Sequence, residues 1–187
     1  MKKNYWPLGI FVFLGVMVCM IIASVVIAIK HPTKEDDTYF SSKREVDSNI
    51  NQIIKDQNRF SKEYQLYLGI NKFPQVNGYA KLFPPYLAKA KFQTQQSLYL
   101  DAQKDNHLYV KALCKQPQNL SIFLYMEKIN SKQEKVEIGK MHYENGYFAS
   151  NAFSNLQKGR YKAIFEVSYQ EDGKDKKIFF EREVFAI

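Results

Sequence analysis

Cys114, Met126, Met141 and His142 are the residues of this chain whose types could do metal chemistry. Thiolate, thioether and imidazole together select soft copper, provided that the fold brings them to one point. His31 is a further imidazole, beside the N-terminal apolar run. Only Met141 and His142 are adjacent, and neighbouring residues of a strand point to opposite faces. An electron-transfer copper centre would need a second cysteine nearby or a cysteine–histidine–methionine cluster in one loop, which this sequence lacks. The four are therefore read as ordinary strand residues. No metal ligand and no cofactor is assigned, and copper handling stays as an alternative.

Other chemistry has no sequence support. There is no G-x-S-x-G elbow, no phosphate loop and no C-x-x-C pair. Asp172 and Asp175 flank an Asp-Gly turn and are read as solvated turn residues rather than paired acid–base carboxylates. No catalytic residue is expected, so the chain is read as non-enzymatic, acting by binding or assembly.

The elements that position these residues begin with an uncharged run, Leu8 to Ile29. A helix rising about 1.5 Å per residue over this run crosses a hydrocarbon core of roughly 30 Å. A cleaved signal peptide would have a shorter apolar core ending in a small-residue site, and Val26-Ile27-Ala28-Ile29-Lys30 offers none. A lipoprotein signal around Cys19 would need a small residue before it, where Val16-Met17-Val18 stands. The run is read as an uncleaved anchor. Lys2, Lys3 and the amino terminus before it, with Tyr5 and Trp6 suited to the headgroup layer, place the amino terminus in the cytoplasm and the remainder outside.

The chain has 187 residues and a net charge of +8. Its lysines are scattered through strands and turns, which describes a solvated basic surface; contact with anionic headgroups or an acidic partner is the other reading. No nucleic-acid motif is present. Cys19 and Cys114 lie in different compartments in this arrangement, so no internal disulfide is expected. The 14 Phe and 13 Tyr supply much of the core material.

Beyond the anchor, Thr33 to about Ser61 reads as a helix, in one piece or broken near Tyr39 to Ser42. Thr33 would cap it, with Glu35, Asp36 and Asp37 in its first turn. Val46, Ile50, Ile53, Ile54 and Phe60 give it a narrow apolar stripe that packs on its own domain, a partner helix being the alternative. Tyr64 to Asn71 reads as a strand and Phe73 to Tyr86 as a loop, with a short element near Leu87 to Lys91. Period-two strands are expected at Gln96–Ala102, His107–Lys115, Leu120–Glu127, Glu134–Tyr143, Tyr147–Ala152, Arg160–Tyr169 and Lys177–Phe185. Asp105-Asn106, Asn130-Ser131, Asn145-Gly146, Lys158-Gly159 and Asp172-Gly173 mark turns, and two of these, Asn145-Gly146 and Asp172-Gly173, signal tight hairpins. The whole reads as mainly β, an antiparallel immunoglobulin-like β-sandwich behind a transmembrane helix and a linking helix. Its divisions are a tail over 1–7, the anchor over 8–29, the linking helix over 30–63 and the outer domain over 64–187.

Several strings, in chain order, resemble the FixH (CcoH) family. They are Tyr5-Trp6-Pro7, Lys30-His31-Pro32, Asp36-Asp37-Thr38-Tyr39-Phe40 with Val46-Asp47, and Leu156-Gln157-Lys158-Gly159-Arg160-Tyr161-Lys162-Ala163. Two departures mark the chain: Tyr39-Phe40 stands where the family usually has a double tyrosine, and Phe73 to Tyr86 reads as an insertion. The resemblance implies a single-pass protein of the bacterial inner membrane with its C-terminal domain in the periplasm. It would assist assembly or stability of cbb(3)-type cytochrome c oxidase, with oxidase subunits or assembly factors as partners and no catalytic residue. The anchor would pack beside oxidase helices through Gly9, Gly15, Ala23, Ser24 and Ala28. A copper-delivery module using Met141, His142 or His31, or an envelope interaction protein unrelated to respiration, are the alternatives.

Overall fold

The structure is a computed structural model and describes residues 5–30, 43–76, 80–85, 97–129 and 135–187. The expected cap at Thr33, the break near Tyr39 to Ser42, His31, Asn77-Gly78, the element near Leu87 to Lys91 and the Asn130-Ser131 turn all lie outside these residues. Two units are separable, one holding the apolar helix and the other the β-rich domain.

The first unit contains helix α1, Trp6–Lys30. Its side chains from Trp6 to Ile29 are uncharged and apolar on every side, with Lys30 in the last turn. A helix apolar all round is stable where hydrocarbon replaces water. It has the length and composition to cross a membrane, a requirement that an N-terminal signal sequence also meets.

The second unit opens with helix α2, Lys43–Glu63. Ile50, Ile53 and Ile54 are half-buried, Gln57 and Phe60 are fully buried, and Tyr64 follows on the same face. That is the three- and four-residue spacing of one helical stripe. The stripe packs on its own domain: Phe60 stacks on Tyr64 at 4.4 Å between ring centres and meets Tyr169 at 5.0 Å and Phe180 at 5.7 Å.

The strands are β1 (Gln65–Ile70), β2 (Tyr99–Leu100), β3 (Leu108–Leu113), β4 (Ser121–Lys128), β5 (Val136–Lys140), β6 (His142–Glu144), β7 (Tyr147–Ala149), β8 (Gly159–Glu171) and β9 (Lys174–Ala186). They form a four-stranded sheet in the order β1-β3-β7-β6 and a five-stranded sheet in the order β2-β9-β8-β4-β5. Pairing is antiparallel except between β2 and β9. Leu66, Leu68, Val110 and Phe148 of the first sheet share one core with Ile122, Leu124, Phe165, Val167, Phe180 and Val184 of the second. In β3, β4, β8 and β9 buried and less buried residues alternate, as a half-buried strand requires.

The hairpins form at the two expected dipeptides. Asn145 and Gly146 have φ of 51° and 85°, and Asp172 and Gly173 of 52° and 73°. Positive φ at both central residues makes the turn whose twist matches that of the flanking strands. The β8–β9 hairpin is longer than the alternation suggested, with 13 residues in each arm. Its distal inward residues, Tyr169 and Glu171 on β8 and Lys176 on β9, meet α2.

Three strand expectations need correction. Glu134–Tyr143 is not one strand. β5 belongs to the five-stranded sheet, and Met141 still donates its N–H to the Ile122 carbonyl at 2.8 Å. His142, the next residue, pairs with Ala149 in the other sheet. Gly139, at φ 112°, and a register shift at Leu124/Tyr125 bend the chain across. Gln96–Ala102 supplies only the two-residue β2. Tyr147–Ala152 ends as a strand at Ala149; Ser150 still donates its N–H to the Leu108 carbonyl at 2.9 Å, and its hydroxyl, in place of its carbonyl, accepts the Leu108 N–H at 3.0 Å. Within the expected loop Phe73–Tyr86, Lys81 bridges to Tyr67 of β1 and Phe83 bridges to Glu181 of β9, so this segment also passes from one sheet to the other.

Candidate functional site

The structure spreads the possible copper ligands apart. Met126 lies inward on β4, 1% exposed, and Met141 is 2% exposed at the crossing between sheets. Met141 is bonded to Ile122, four residues from Met126 on one strand, which separates their backbones by roughly 13 Å. His142 points outward on β6 and pairs with Ala149, which pairs in turn with Tyr109 of β3. Cys114 lies five residues beyond Tyr109, roughly 16 Å along the strand direction. It is half-buried, and burial pushes its thiol above the ordinary value, partly offset by the Gln116 N–H. A protonated thiol is a poor ligand and a poor nucleophile. Among the described residues no three His, Cys, Asp or Glu side chains converge on a point that could hold a metal ion.

Asp172 and Asp175 are exposed at the β8–β9 turn, where Asp175 accepts a hydrogen bond from Gln170 at 3.1 Å. On α1, Gly9 and Gly15 leave open space where a Cβ would stand, and Ser24 returns its hydroxyl to the Met20 carbonyl at 2.8 Å.

Polar groups gather instead where α2 meets the distal half of the β8–β9 hairpin. Lys176 Nζ lies 2.7 Å from Asp56 Oδ1 and 2.6 Å from Glu171 Oε2, and Arg59 Nη1 is 3.9 Å from the same Glu171 oxygen. Burial raises the Asp56 pKa, but hydrogen bonds from Lys176 and Gln52 outweigh it and hold the carboxyl below its ordinary value. Hydrogen bonding to Asp56 and Glu171 drives the Lys176 pKa up. Behind these charges Gln57 is 1% exposed and Tyr169 is 5% exposed. Among the described residues, neither the Gln57 amide nor the Tyr169 hydroxyl has a hydrogen-bond partner. Burial, with the charge of Glu171, raises Tyr169 to about 12. No sequence pattern marks this cluster, because Gln57 falls between the apolar members of the stripe and the partners lie more than a hundred residues away.

Two further buried polar residues escaped the sequence reading. Arg182 lies inward on β9 across from Ala163, 2% exposed, and burial lowers its pKa to about 10. Asn106, expected in a turn, is 0% exposed. Its amide donates to the carbonyls of Asp101 and Lys104, at 2.7 and 2.9 Å, and its oxygen accepts from the Asp101 N–H and from Asn71. It joins the start of β3 to the loops on either side.

The string Leu156 to Ala163 has a clear structural role. Gly159 opens β8 at φ 145°, a conformation few residues other than glycine adopt, with Lys128 Cε 3.3 Å from where a Cβ would stand. Tyr161 is buried and returns its hydroxyl to the Gln157 carbonyl at 2.7 Å. Leu156 and Tyr161, with Met126, Val136, Ile138 and Phe153, line an adjoining cavity of about 250 Å³. Lys128, at its rim, donates to Gln157 at 2.8 Å.

No family model, curated protein or solved structure matches this chain.

Proposed function

We propose that this is a single-pass membrane protein that acts without catalysis, holding a folded β-rich domain at a membrane surface to assist a membrane complex. The observation that carries this reading is α1. From Trp6 to Ile29 it carries no charge and is apolar around its circumference, which suits a surround of lipid or other transmembrane helices. Lys2 and Lys3 before it and the aromatic pair Tyr5-Trp6 orient the amino terminus to the cytoplasm and the domain to the periplasm. We read the two sheets around one core as a sandwich with an immunoglobulin-like outline, altered by the long β8–β9 hairpin and by the crossing at Met141.

The specific complex comes from the FixH (CcoH) resemblance: cbb(3)-type cytochrome c oxidase, with its subunits or assembly factors as partners. Of the strings that carry it, the Leu156-to-Ala163 segment has a physical reason for its leucine, glycine and tyrosine. Deleting the gene and measuring membrane cytochrome c oxidase activity, c-type haem and oxidase subunit levels tests this reading. Loss of assembled oxidase with its genes still expressed is the expected result. Normal oxidase under low oxygen overturns it and leaves an envelope interaction protein.

A further inference from the structure

We propose that α2 is a releasable strap, docked on the inward face of the β8–β9 hairpin and able to leave it while both sheets stay folded. This does not depend on which complex the protein serves.

The geometry gives three reasons. First, the docked face contains its own opposing force. Gln57 is 1% exposed with neither amide atom hydrogen-bonded, and the Tyr169 hydroxyl on the facing strand is also without a partner. A buried polar group that has lost water and gained no partner favours the state in which water returns, and release of α2 is that state. Second, the attachment is narrow. Phe60 is the one fully buried apolar side chain among the described side chains of α2, and it seats on Tyr64, Tyr169 and Phe180. Of the rim ion pairs, Arg59 with Glu171 is open to solvent, Arg59 being 62% exposed, and such a pair holds weakly; Lys176, on Asp56 and Glu171, is left as the one close polar tie of α2 to the hairpin among the described residues. Third, α2 contributes no strand to either sheet, so its departure breaks no ladder hydrogen bond. Tyr64 is the one residue between the end of α2 and the start of β1, which places the pivot there.

Hydrogen exchange on the full chain in detergent micelles, read by mass spectrometry, tests the strap. Amides of Ile50 to Phe60 should exchange at least about tenfold faster than those of β8 and β9, as an element that opens separately does. Gln57→Leu should slow that exchange about tenfold, leaving strand exchange unchanged, because the unpaired amide is gone. Phe60→Ala should abolish protection of α2 with the strands still protected. Three results each overturn the proposal. α2 exchanges as slowly as β8 and β9. Gln57→Leu accelerates exchange, which would mean that the amide is satisfied in solution. Phe60→Ala exposes the strands together with the helix, which would make α2 part of one cooperative core.

Discussion

The ammonium of Lys176 sits 2.7 Å from the carboxylate of Asp56, tying strand β9 to helix α2 across 120 residues of sequence. The same ammonium is 2.6 Å from Glu171, on the other arm of the hairpin. One cation therefore holds the tip of the β8–β9 hairpin and the helix together.

Asp56→Asn should lower the thermal midpoint of the full chain at pH 7. The Asp56 pKa is depressed in the folded protein, so its contribution is present above the unfolded value, about 3.9. It is lost as pH falls through the lower folded value. The gap between wild type and variant should close on acidification below pH 4 and shrink in high salt. A gap that persists at pH 2 would refute the ion-pair origin.

Tyr169→Phe removes a buried hydroxyl that has no partner, and should stabilise the protein at neutral pH by about 1 kcal/mol. The hydroxyl is raised to about 12 by burial. Wild type therefore binds its proton more tightly when folded, and the stability this confers is intact below about pH 10 and lost as pH rises toward 12. Urea unfolding at pH 8, 10 and 11 should show wild type losing stability relative to the variant only at the higher values.

Asn106→Ala should cost about 2–4 kcal/mol, since it leaves the Asp101 N–H and two carbonyls without their partner in a buried setting. Asn106→Asp should not rescue it, because a carboxylate cannot donate to the Asp101 and Lys104 carbonyls. Equal stability of Asp and Asn in urea titrations would contradict the hydrogen-bond assignment.

Met141→Ala should cost about 2–5 kcal/mol as a core truncation. His142→Ala, on the outward face, should stay within about 0.5 kcal/mol. A Cu(I) titration separates fold from chemistry here: micromolar binding that disappears in His142→Ala would restore the copper-delivery reading, and binding unaffected by the change leaves Met141 a packing residue.

The sequence made local order legible and left non-local order hidden. The period-two strand expected at Arg160–Tyr169 forms, with Tyr161, Ala163, Phe165 and Val167 buried, because alternation is a property of one strand. Asn145-Gly146 and Asp172-Gly173 announced their turns because the left-handed backbone is a property of two residues. Phe60 was legible as part of a helical stripe. Gln57 was not, because its burial is set by a hairpin that arrives from the far end of the chain. Met141 was read as mid-strand for a related reason: nothing in its neighbours says that residues 136–140 and 142–144 join different sheets. Asn106 and Arg182 look like surface residues by type, and only tertiary contacts place them inside. The same limit applies to the candidate site. Of the four residues read as strand residues, Met126 and His142 lie in β4 and β6, whereas Cys114 falls just past β3 and Met141 between β5 and β6; the cluster around Lys176 has no sequence motif to find.

The two crossings between sheets, Lys81 to Phe83 on one side and Gly139 to His142 on the other, have a consequence for how these molecules behave when crowded together. An open sheet margin offers unpaired N–H and carbonyl groups as a template on which a foreign strand can grow. Here Lys81 and Phe83 bridge onto β1 and β9 on one flank, and on the other the margin strands β5 and β6 are five and three residues long and turn from one sheet into the other. A neighbouring copy therefore finds only short stretches of open margin on which to add a strand, which lowers the chance that crowded copies grow into fibrils.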